Sequence, residues 1–152
     1  MSIQEKTERQ HWMSVLAKAE FAQLKAHWAN LKLVPAYSFI RKPEIGLAQV
    51  RARMGATGNA FNMGDVTVTR TVVQLESGEL GFSYITGRNK EHAVLAAVVD
   101  AMMQQTGHQS GLLKESLITP LEALRDEQVK QRSREVATSK VDFFTLVRGE
   151  DD

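Results

Sequence analysis

The stretch from Gly64 to Ala93 constrains the fold of this chain most, because it joins a long β-hairpin to a helix. Two runs rich in β-branched and aromatic residues, Asp65 to Leu75 and Leu80 to Thr86, flank the dipeptide Ser77-Gly78, which is typical of a hairpin turn. From Asn89 onward, apolar residues recur at helical spacing over an arc so wide that the helix must be buried. The segment therefore predicts antiparallel strands packed against a central helix.

The register of this hairpin decides which side chains face the core. With Ser77 and Gly78 as the turn, three cross-strand pairs are expected on the core face. These pairs are Leu75 with Leu80, Val73 with Phe82, and Thr71 with Tyr84. The same register places Arg70 on the opposite face, with Val72 and Ile85 as neighbours. There Arg70 either contacts a ligand or partner, or is a solvated or ion-paired arginine lying over apolar neighbours.

Two further strands are expected before this hairpin. Tyr37 to Arg41 and Gly46 to Met54 have strand patterns, and Lys42-Pro43-Glu44 between them has the composition of a turn. The prediction is therefore an α+β fold in which a four-stranded antiparallel sheet over 37–86 packs against helices. A length of 152 residues fits one domain, so residues 1–152 are expected to form a single unit.

The N-terminal segment has a helical pattern. Apolar stripes over residues 4–31 predict a short helical hairpin. Trp12 and Trp28 belong to these stripes, where tryptophan is far more often a core or interface residue than a platform for nucleobases. Trp12 is therefore a candidate partner-interface residue.

The C-terminal third is expected to end in an exposed helix. Helices are predicted over 89–138, and Thr119-Pro120-Leu121-Glu122 supplies a capping threonine, a proline at the first helical position and a glutamate at the third. The helix from Pro120 to about Ala137 has a thin apolar stripe. The apolar tail over 139–152 either packs back on its own domain or docks into another chain. Its candidate interface residues are Val141, Phe143, Phe144, Leu146 and Arg148.

Composition excludes several classes of function. Lys and Arg number 19 against 18 for Asp and Glu, without a block of like charge, so a nucleic-acid platform is not supported. The absence of cysteine excludes a disulfide scaffold, a thiolate zinc site and a cysteine-held iron–sulfur cluster in this chain. The four histidines are scattered and no nucleophile motif occurs, so neither a metal nor a hydrolase triad is expected.

The location of the protein is constrained by its first residues. Glu5, Glu8 and Glu20 interrupt the apolar positions near the N-terminus, so a signal peptide is not expected. No apolar run approaches the ~20 residues that a membrane span needs. A soluble cytoplasmic protein is the expectation.

A corner of three potential anion ligands precedes the central helix. Arg88, Lys90 and His92 lie within five residues of one another, and Asn89 is a suitable N-cap between them. Free amides and the positive end of the helix dipole would favour a phosphate or phosphonate here. Equally, Arg88 and Lys90 could be solvated turn residues and His92 a partly buried helix residue. With Arg70, these three form the candidate substrate- or phosphate-binding set.

Six segments along the chain form a pattern that can be compared with known families. The segments are Arg9-Gln10-His11-Trp12-Met13-Ser14-Val15-Leu16-Ala17, Ala52-Arg53-Met54-Gly55 with Thr57-Gly58, Gly64-Asp65 with Thr67, Thr69 and Arg70, Gly87-Arg88 with Lys90, His92 and Ala93, Met103-Gln104-Gln105, and Val141-Asp142-Phe143-Phe144-Thr145 with Val147-Arg148-Gly149. In this order they resemble the G subunit of the bacterial carbon–phosphorus lyase core complex. The resemblance covers nearly the whole chain and is weakest at the extreme N-terminus and over 108–118 and 123–138.

The resemblance implies a subunit that assembles with the H, I and J subunits and with a second copy of itself across a two-fold axis, in phosphonate use. It implies that the G, H, I and L proteins together let a phosphonate displace adenine from ATP, giving ribose 1-phosphonate 5-triphosphate. The I subunit is thought to carry that chemistry. Cleavage of the carbon–phosphorus bond belongs to the J subunit and its iron–sulfur cluster, in agreement with the missing cysteines.

The expected function is therefore a mainly structural subunit of a transferase complex, without a cofactor or catalytic residues in this chain. The alternative is a phosphonate- or nucleotide-binding component that contributes Arg70, Arg88, Lys90 and His92 directly to a bound triphosphate.

Overall fold

The computed structural model describes the backbone of residues 3–53 and 60–151, and the side chains of 8–50 and 64–138. The helices and strands follow one another in the chain as α1 (Ile3–Lys18), α2 (Phe21–Leu31), β1 (Tyr37–Arg53), β2 (Ala60–Leu75), β3 (Leu80–Thr86), α3 (Lys90–Met103), α4 (His108–Leu113) and α5 (Thr119–Asp151). A π-helical turn, Lys114–Ile118, connects α4 to α5. The predicted α+β class is observed.

The sheet formed by the described strands is antiparallel with the order β1-β2-β3, so the prediction of four strands is wrong. The segment Lys42-Pro43-Glu44 does not form a turn but lies inside the 17-residue strand β1. The pairing of β1 with β2 shifts register between Phe39 and Arg41 and again between Arg41 and Glu44. Because β1 is an edge strand, such an irregular stretch accommodates a proline that has no N–H to donate.

The hairpin turn between β2 and β3 holds three residues, not two. The backbone N–H of Leu75 donates to the carbonyl of Glu79 at 3.0 Å, and the N–H of Gly78 donates to the carbonyl of Leu75 at 2.9 Å. Gly78 has a φ of 106°, a conformation that favours glycine at the end of a three-residue loop. The longer turn shifts β3 by one residue relative to the predicted register.

That shift exchanges the two faces of β3. Its core-face residues are Gly81, Ser83 and Ile85, which lie opposite Val73, Thr71 and Thr69. The predicted core positions of Leu80, Phe82 and Tyr84 are wrong, because these side chains are exposed on the outer face of the sheet. Arg70 and Val72 lie on that outer face as predicted, whereas Ile85 is buried on the other side.

Helix α3 packs against the core face at Gly81. A Cβ placed on Gly81 would collide with the backbone carbonyl of Ala97 and the side chain of Ala101, so only glycine permits this approach. Helix α1 packs on α3, and α2 lies against the π-helical turn. The largest fully buried apolar side chains are Leu16, Leu24, Val73, Val99, Met102, Leu113, Leu117 and Leu121.

The start of α5 differs from the prediction. Thr119 has helical backbone angles, φ −61° and ψ −46°, and follows the π-helical turn directly, so it does not act as an N-cap. Pro120 therefore lies within a continuous helical path. The wide turn just before it is a known way to accommodate a proline, which lacks an N–H and crowds the preceding turn.

Helix α5 is exposed over most of its described length, as predicted. Leu121 is buried at its base, whereas Val129 and Val136 are exposed. Its backbone continues through the predicted tail to Asp151. The side chains of 139–152, including those of Val141, Phe143, Phe144, Leu146 and Arg148, lie outside the described residues. No helix among the described residues is long and apolar enough to cross a membrane.

Candidate functional site

The predicted corner lies between β3 and α3. Gly87 has a φ of 106° and turns the chain, and Asn89 caps the helix as predicted. The Asn89 side-chain oxygen accepts a hydrogen bond from the backbone N–H of His92 at 3.0 Å. Glu91 lies in the first turn, where an acidic side chain favours the positive end of the helix dipole. The Asn89 side chain accepts a hydrogen bond at this helix end, and Glu91 places a negative charge there. Both are interactions that a bound anion would otherwise provide.

His92 is part of the packing between helices. Its side chain is buried, and its Nε2 lies 2.8 Å from the carbonyl oxygen of Leu16, to which an Nε2–H donates. The imidazole also stacks on Phe21, with ring centroids 5.7 Å apart. These contacts connect α1 and α2 to the start of α3, and they engage Nε2 of His92 within the chain.

Arg70 lies on the outer face of the sheet in an ion pair. Its Nε is 3.5 Å from Oε2 of Glu44, and Nη1 of Arg41 is 3.9 Å from the same oxygen. Arg70, Ile40, Phe82 and Tyr84 line a shallow cavity of about 550 Å³ on this face. The arrangement matches the ion-paired alternative for Arg70, with apolar neighbours around the cation.

Arg88 and Lys90 are exposed, and no described residue forms an ion pair with either. Lys90 lies at one end of a groove of about 490 Å³ on the other side of the sheet, whereas Arg70 lines the outer-face cavity. None of the described cavities brings all four candidate residues together. A role in ligand binding therefore stays a prediction for each of them. The groove beside Lys90 is mainly apolar and is lined by Trp28, Leu33, Tyr37, Phe39, Val94, Leu95 and Val98.

A buried carboxylate links three elements and was not predicted. Asp100 on α3 is fully buried and accepts hydrogen bonds from Nη2 of Arg9 at 3.1 Å, from Nε1 of Trp12 at 2.8 Å and from the backbone N–H of Phe82 at 3.0 Å. Buried charge is tolerated only when it is paired and hydrogen-bonded in this way. The signal in the sequence was a single aspartate inside the apolar run of α3.

This network uses two side chains of α1, those of Arg9 and Trp12. The guanidinium of Arg9 lies 5.7 Å from the ring centroid of Phe82, in addition to its bond with Asp100. The indole of Trp12 is half-buried and packs against the core, with its N–H donated to Asp100. Trp12 thus has a clear structural role, and its contact with a partner stays a prediction.

The described residues offer little catalytic chemistry. No group of three or more His, Asp or Glu side chains among them could hold a metal ion. The pKa of Glu79 is lowered, first by a hydrogen bond from the Ser77 hydroxyl and then by its own backbone N–H. Glu79 lies in the hairpin turn on the surface, so this shift reflects local hydrogen bonding and not an active-site carboxylate.

Comparison with known proteins then identifies the family. The model of the family described as phosphonate metabolism protein PhnG matches residues 7–149. The chain belongs to the PhnG family. A curated relative from Rhizobium meliloti (strain 1021), the alpha-D-ribose 1-methylphosphonate 5-triphosphate synthase subunit PhnG, is 38% identical over 144 residues, which is 95% of this chain and 91% of the relative. The resemblance to a G subunit is confirmed.

Two of the segments that carry this resemblance meet around Asp100. The segment that begins at Arg9 supplies Arg9 and Trp12, and Met103-Gln104-Gln105 supplies Gln104. Nε2 of Gln104 lies 2.7 Å from the carbonyl of Leu80 and 3.5 Å from Oδ2 of Asp100. In this PhnG-family chain, the motifs therefore maintain the junction of α1, α3 and β3.

Proposed function

We propose that this chain is a subunit of a synthase that forms ribose 1-methylphosphonate 5-triphosphate. The observation that carries the proposal is the 38% identity, over 95% of the chain, to a relative named as a subunit of that synthase. Both lengths match almost completely, so the proposal concerns the whole chain and not a shared fragment. The protein would work in the cytoplasm, where ATP is available.

The partners in this proposal are the H, I and J subunits, with the L protein required for the same reaction. A phosphonate displaces adenine at the ribose carbon of ATP, so one carbon–nitrogen bond breaks and one carbon–oxygen bond forms. The I subunit would carry that step. This chain would contribute assembly and not a cofactor or reacting group.

Three features of the structure support a mainly structural role. His92 and Arg70 are engaged in contacts within the chain, and Asp100 is fully buried behind Arg9 and Trp12. Helix α5 extends well past its buried base at Leu121. A long, exposed helix of this kind is suited to contact a partner.

Reconstitution tests the function directly. The H, I and L proteins are mixed with ATP and methylphosphonate, with and without this chain, and the product is followed by phosphorus NMR. We expect the triphosphate product and free adenine only when the chain is present. Equal product formation without the chain would overturn the proposal.

The docking role of α5 is tested by two matched double variants. Val129→Asp with Val136→Asp places two charges on one face of the helix, at exposed apolar positions seven residues apart. Gln131→Asp with Thr138→Asp places the same charges at the same spacing on the opposite face. Co-purification with the I subunit should be lost only in the valine variant, while the circular dichroism spectrum of both stays native. A parallel variant, Phe143→Ser with Phe144→Ser, tests the predicted tail.

Titration calorimetry with ATP distinguishes a structural subunit from one that binds the nucleotide directly. A scaffold gives no saturable heat in the absence of the other subunits. Micromolar binding that is lost in Arg88→Ala or Lys90→Ala would instead make this chain a nucleotide-binding component. Glu91→Ala, a substitution in the same turn that removes an acidic side chain, is the control and should not weaken such binding.

A further inference from the structure

The helices cover the core face of the sheet unevenly. Helix α3 packs mainly against β2 and β3 and makes few contacts with β1. Tyr37 and Phe39 of β1 pair with buried residues of β2, so they belong to the core face, yet each is 41% exposed. Apolar side chains on the core face of a sheet are normally covered by a second layer. The described helices thus leave the core face of β1 open.

The open face forms one wall of the groove of about 490 Å³ that begins at Lys90, and α3 forms the other wall. The α3 residues in this groove recur every three or four positions, so they lie on one side of the helix. They are Glu91, Val94, Leu95 and Val98. A second cavity, of about 300 Å³, continues along the same side past Met102 and Gln105 and shares Val34 with the first. We call the two together the α3 groove.

The α3 groove is elongated. It follows α3 from Lys90 to Gln105, a stretch about 22 Å long at a rise of ~1.5 Å per residue, which equals about four helical turns. Two helices that pack side by side have their axes about 8–10 Å apart. A helix in the groove would therefore lie next to α3 and over β1, where the helical layer of this chain ends.

The lining of the groove favours a helix over an extended segment. It is mainly apolar along Trp28, Tyr37 and Phe39, so it offers few partners for backbone N–H and C=O groups. An extended segment buried there would leave such groups unsatisfied, which is costly. A helix satisfies its backbone internally and presents only side chains to the groove.

Charges of opposite sign lie at the two ends of the α3 groove. Lys90 is exposed at one end and Glu76 is exposed at the other. No described residue forms an ion pair with either of them, whereas Glu91 lies 4.0 Å from Lys25. Complementary charges fix the orientation of a bound partner. An occupant is therefore favoured that carries an acidic residue beside Lys90 and a basic residue beside Glu76.

We propose that the α3 groove binds an amphipathic α-helix of a different polypeptide, which completes the helical layer over β1. The apolar residues of this helix recur every three or four positions and contact Tyr37, Phe39 and Val94. Its acidic end lies at Lys90 and its basic end at Glu76. The inference rests on the proposed function for the source of the helix, which is another subunit of the same synthase.

Photo-cross-linking in the assembled complex identifies the occupant. The label p-benzoylphenylalanine replaces Phe39 in the groove or, as the matched control, the next residue, Ile40, which lines the cavity on the outer face of the sheet. The labelled chain is purified together with the H, I and J subunits, and mass spectrometry identifies the cross-linked peptides. We expect the label at Phe39 to reach one segment of another subunit, and the label at Ile40 not to reach that segment.

Further labels test whether that segment is a helix. With the same label at Tyr37 and at Val94, the contacted residues of the segment should be three, four or seven positions apart. A spacing of two would mean an extended strand, and the inference would be wrong. It would also be wrong if the label at Phe39 reached a second copy of this chain, or no protein at all.

The second experiment uses a synthetic peptide with the sequence of the cross-linked segment. We expect it to bind the isolated full-length chain and to gain helical circular dichroism on binding. Phe39→Asp should weaken this binding about tenfold or more, and Ile40→Asp, the same change on the opposite face, should leave it unchanged. Equal affinity of the two variants would overturn the inference.

The charge at one end gives a variant that does not alter the apolar lining. Lys90→Glu should weaken binding of the peptide about tenfold, and a peptide with its acidic residue changed to lysine should regain the lost affinity. Because Lys90 is exposed, this pair decides the matter even where Phe39→Asp does not fold. A peptide that binds both forms of the chain equally well would contradict the proposed orientation.

Failure of this inference can be distinguished from failure of the proposed function. Product formation by the labelled complex is measured with the L protein, ATP and methylphosphonate. If product forms and the label at Phe39 reaches no helix of another subunit, the inference is wrong and the proposed function stands. If no product forms but the label reaches a helix of a co-purified subunit, the groove is confirmed as a helix-binding surface and the proposed function is wrong.

Discussion

The two edge strands of the sheet, β1 and β3, differ in how their outward backbone groups are satisfied. On β3, Gln104 and Asp100 take up the carbonyl of Leu80 and the N–H of Phe82. On β1, the outward groups of Ile45 and Leu47 meet no described residue. Both strands carry exposed apolar side chains, so apolar content does not distinguish them. What distinguishes them is the presence of side chains from α3 and α1 that block further pairing.

This difference implies different consequences for mutation. Changes on the β3 side should act on the stability of the monomer, because its edge is part of the buried junction with α1 and α3. Changes on the outward edge of β1 should have little effect on the stability of the monomer, because no described residue bonds to its outward backbone groups. Matched substitutions on the two edges therefore test whether they differ in this way.

The largest effect is expected from Asp100→Ala, which reopens the protected edge. The substitution leaves Arg9 without its partner and the N–H groups of Trp12 and Phe82 without an acceptor. Removing one member of a buried charge network costs about 4 kcal/mol of unfolding free energy. Urea denaturation followed by circular dichroism measures the loss.

The matched control is Glu44→Ala, which removes an acidic side chain from the β1 side. Glu44 is 54% exposed and lies at 3.5 to 3.9 Å from two arginines, an ion pair screened by solvent. Its loss should cost about 0.5 kcal/mol or less. Equal losses for the two variants would mean that the Asp100 network does not protect the β3 edge.

The next prediction compares the loss of stability caused by alanine at two glycines, Gly81 on β3 and Gly46 on β1. Gly81→Ala would force the new Cβ into the carbonyl of Ala97, so α3 must move, at a cost of about 3 kcal/mol. Gly46→Ala meets no atom within 4 Å and should change stability by about 0.5 kcal/mol at most. Thermal unfolding of both variants gives the comparison, and a stable Gly81→Ala protein would contradict the close packing of α3.

Periodicity predicted the type of most elements but not the register of the hairpin. The alternation in β2 places Val73 and Thr71 on the core face in both the predicted and the observed fold. For β3, the outcome depended on whether the turn had two or three residues, and Ser77-Gly78 fits both. Phe82 and Tyr84 are exposed on the outer face of the sheet, although aromatic residues are usual in a core. Their presence on β3 therefore favoured the register that places them on the core face. The close packing of α3 on Gly81, a contact between distant parts of the chain, requires the register that has Gly81 on the core face.

The site was harder to predict than the fold for a similar reason. The local cap at Asn89 follows from neighbouring residues and was found. The bond from His92 to Leu16 and the bonds from Arg9 and Trp12 to Asp100 join residues more than seventy positions apart, which no local pattern specifies. The long edge strand β1 does not follow from the sequence pattern, because the segment around Pro43 has the composition of a turn.

A smaller effect is expected when the β3 edge loses one hydrogen bond. Gln104→Ala removes the donor to the Leu80 carbonyl, which remains near solvent, so unfolding free energy should fall by about 1 kcal/mol. The neighbouring Gln105→Ala removes exposed bonds to Ser77 and Glu79 and should cost less. The loss of unfolding free energy in each variant is obtained from the midpoint of its denaturant unfolding curve, compared at the same slope m. If Gln104→Ala also associates at high concentration, the exposed edge of β3 has become available for pairing.

The smallest effect concerns the turn that sets the register of β3. The hydroxyl of Ser77 donates to Glu79 and is the main cause of the lowered pKa of that carboxyl. A carboxyl with a lowered pKa stabilises the fold at pH values above its unfolded pKa, and this contribution is lost as the pH falls through the lower, folded pKa. Ser77→Ala should therefore raise the pKa of Glu79 toward its ordinary value, as measured by NMR titration of the carboxyl carbon. Gln105→Ala removes the weakest of the contributing bonds and should move that pKa less in the same direction. If Ser77→Ala leaves the pKa of Glu79 unchanged, the turn is held by the backbone bonds of Leu75 alone, and the three-residue loop needs no side chain to fix the face that β3 presents to the core.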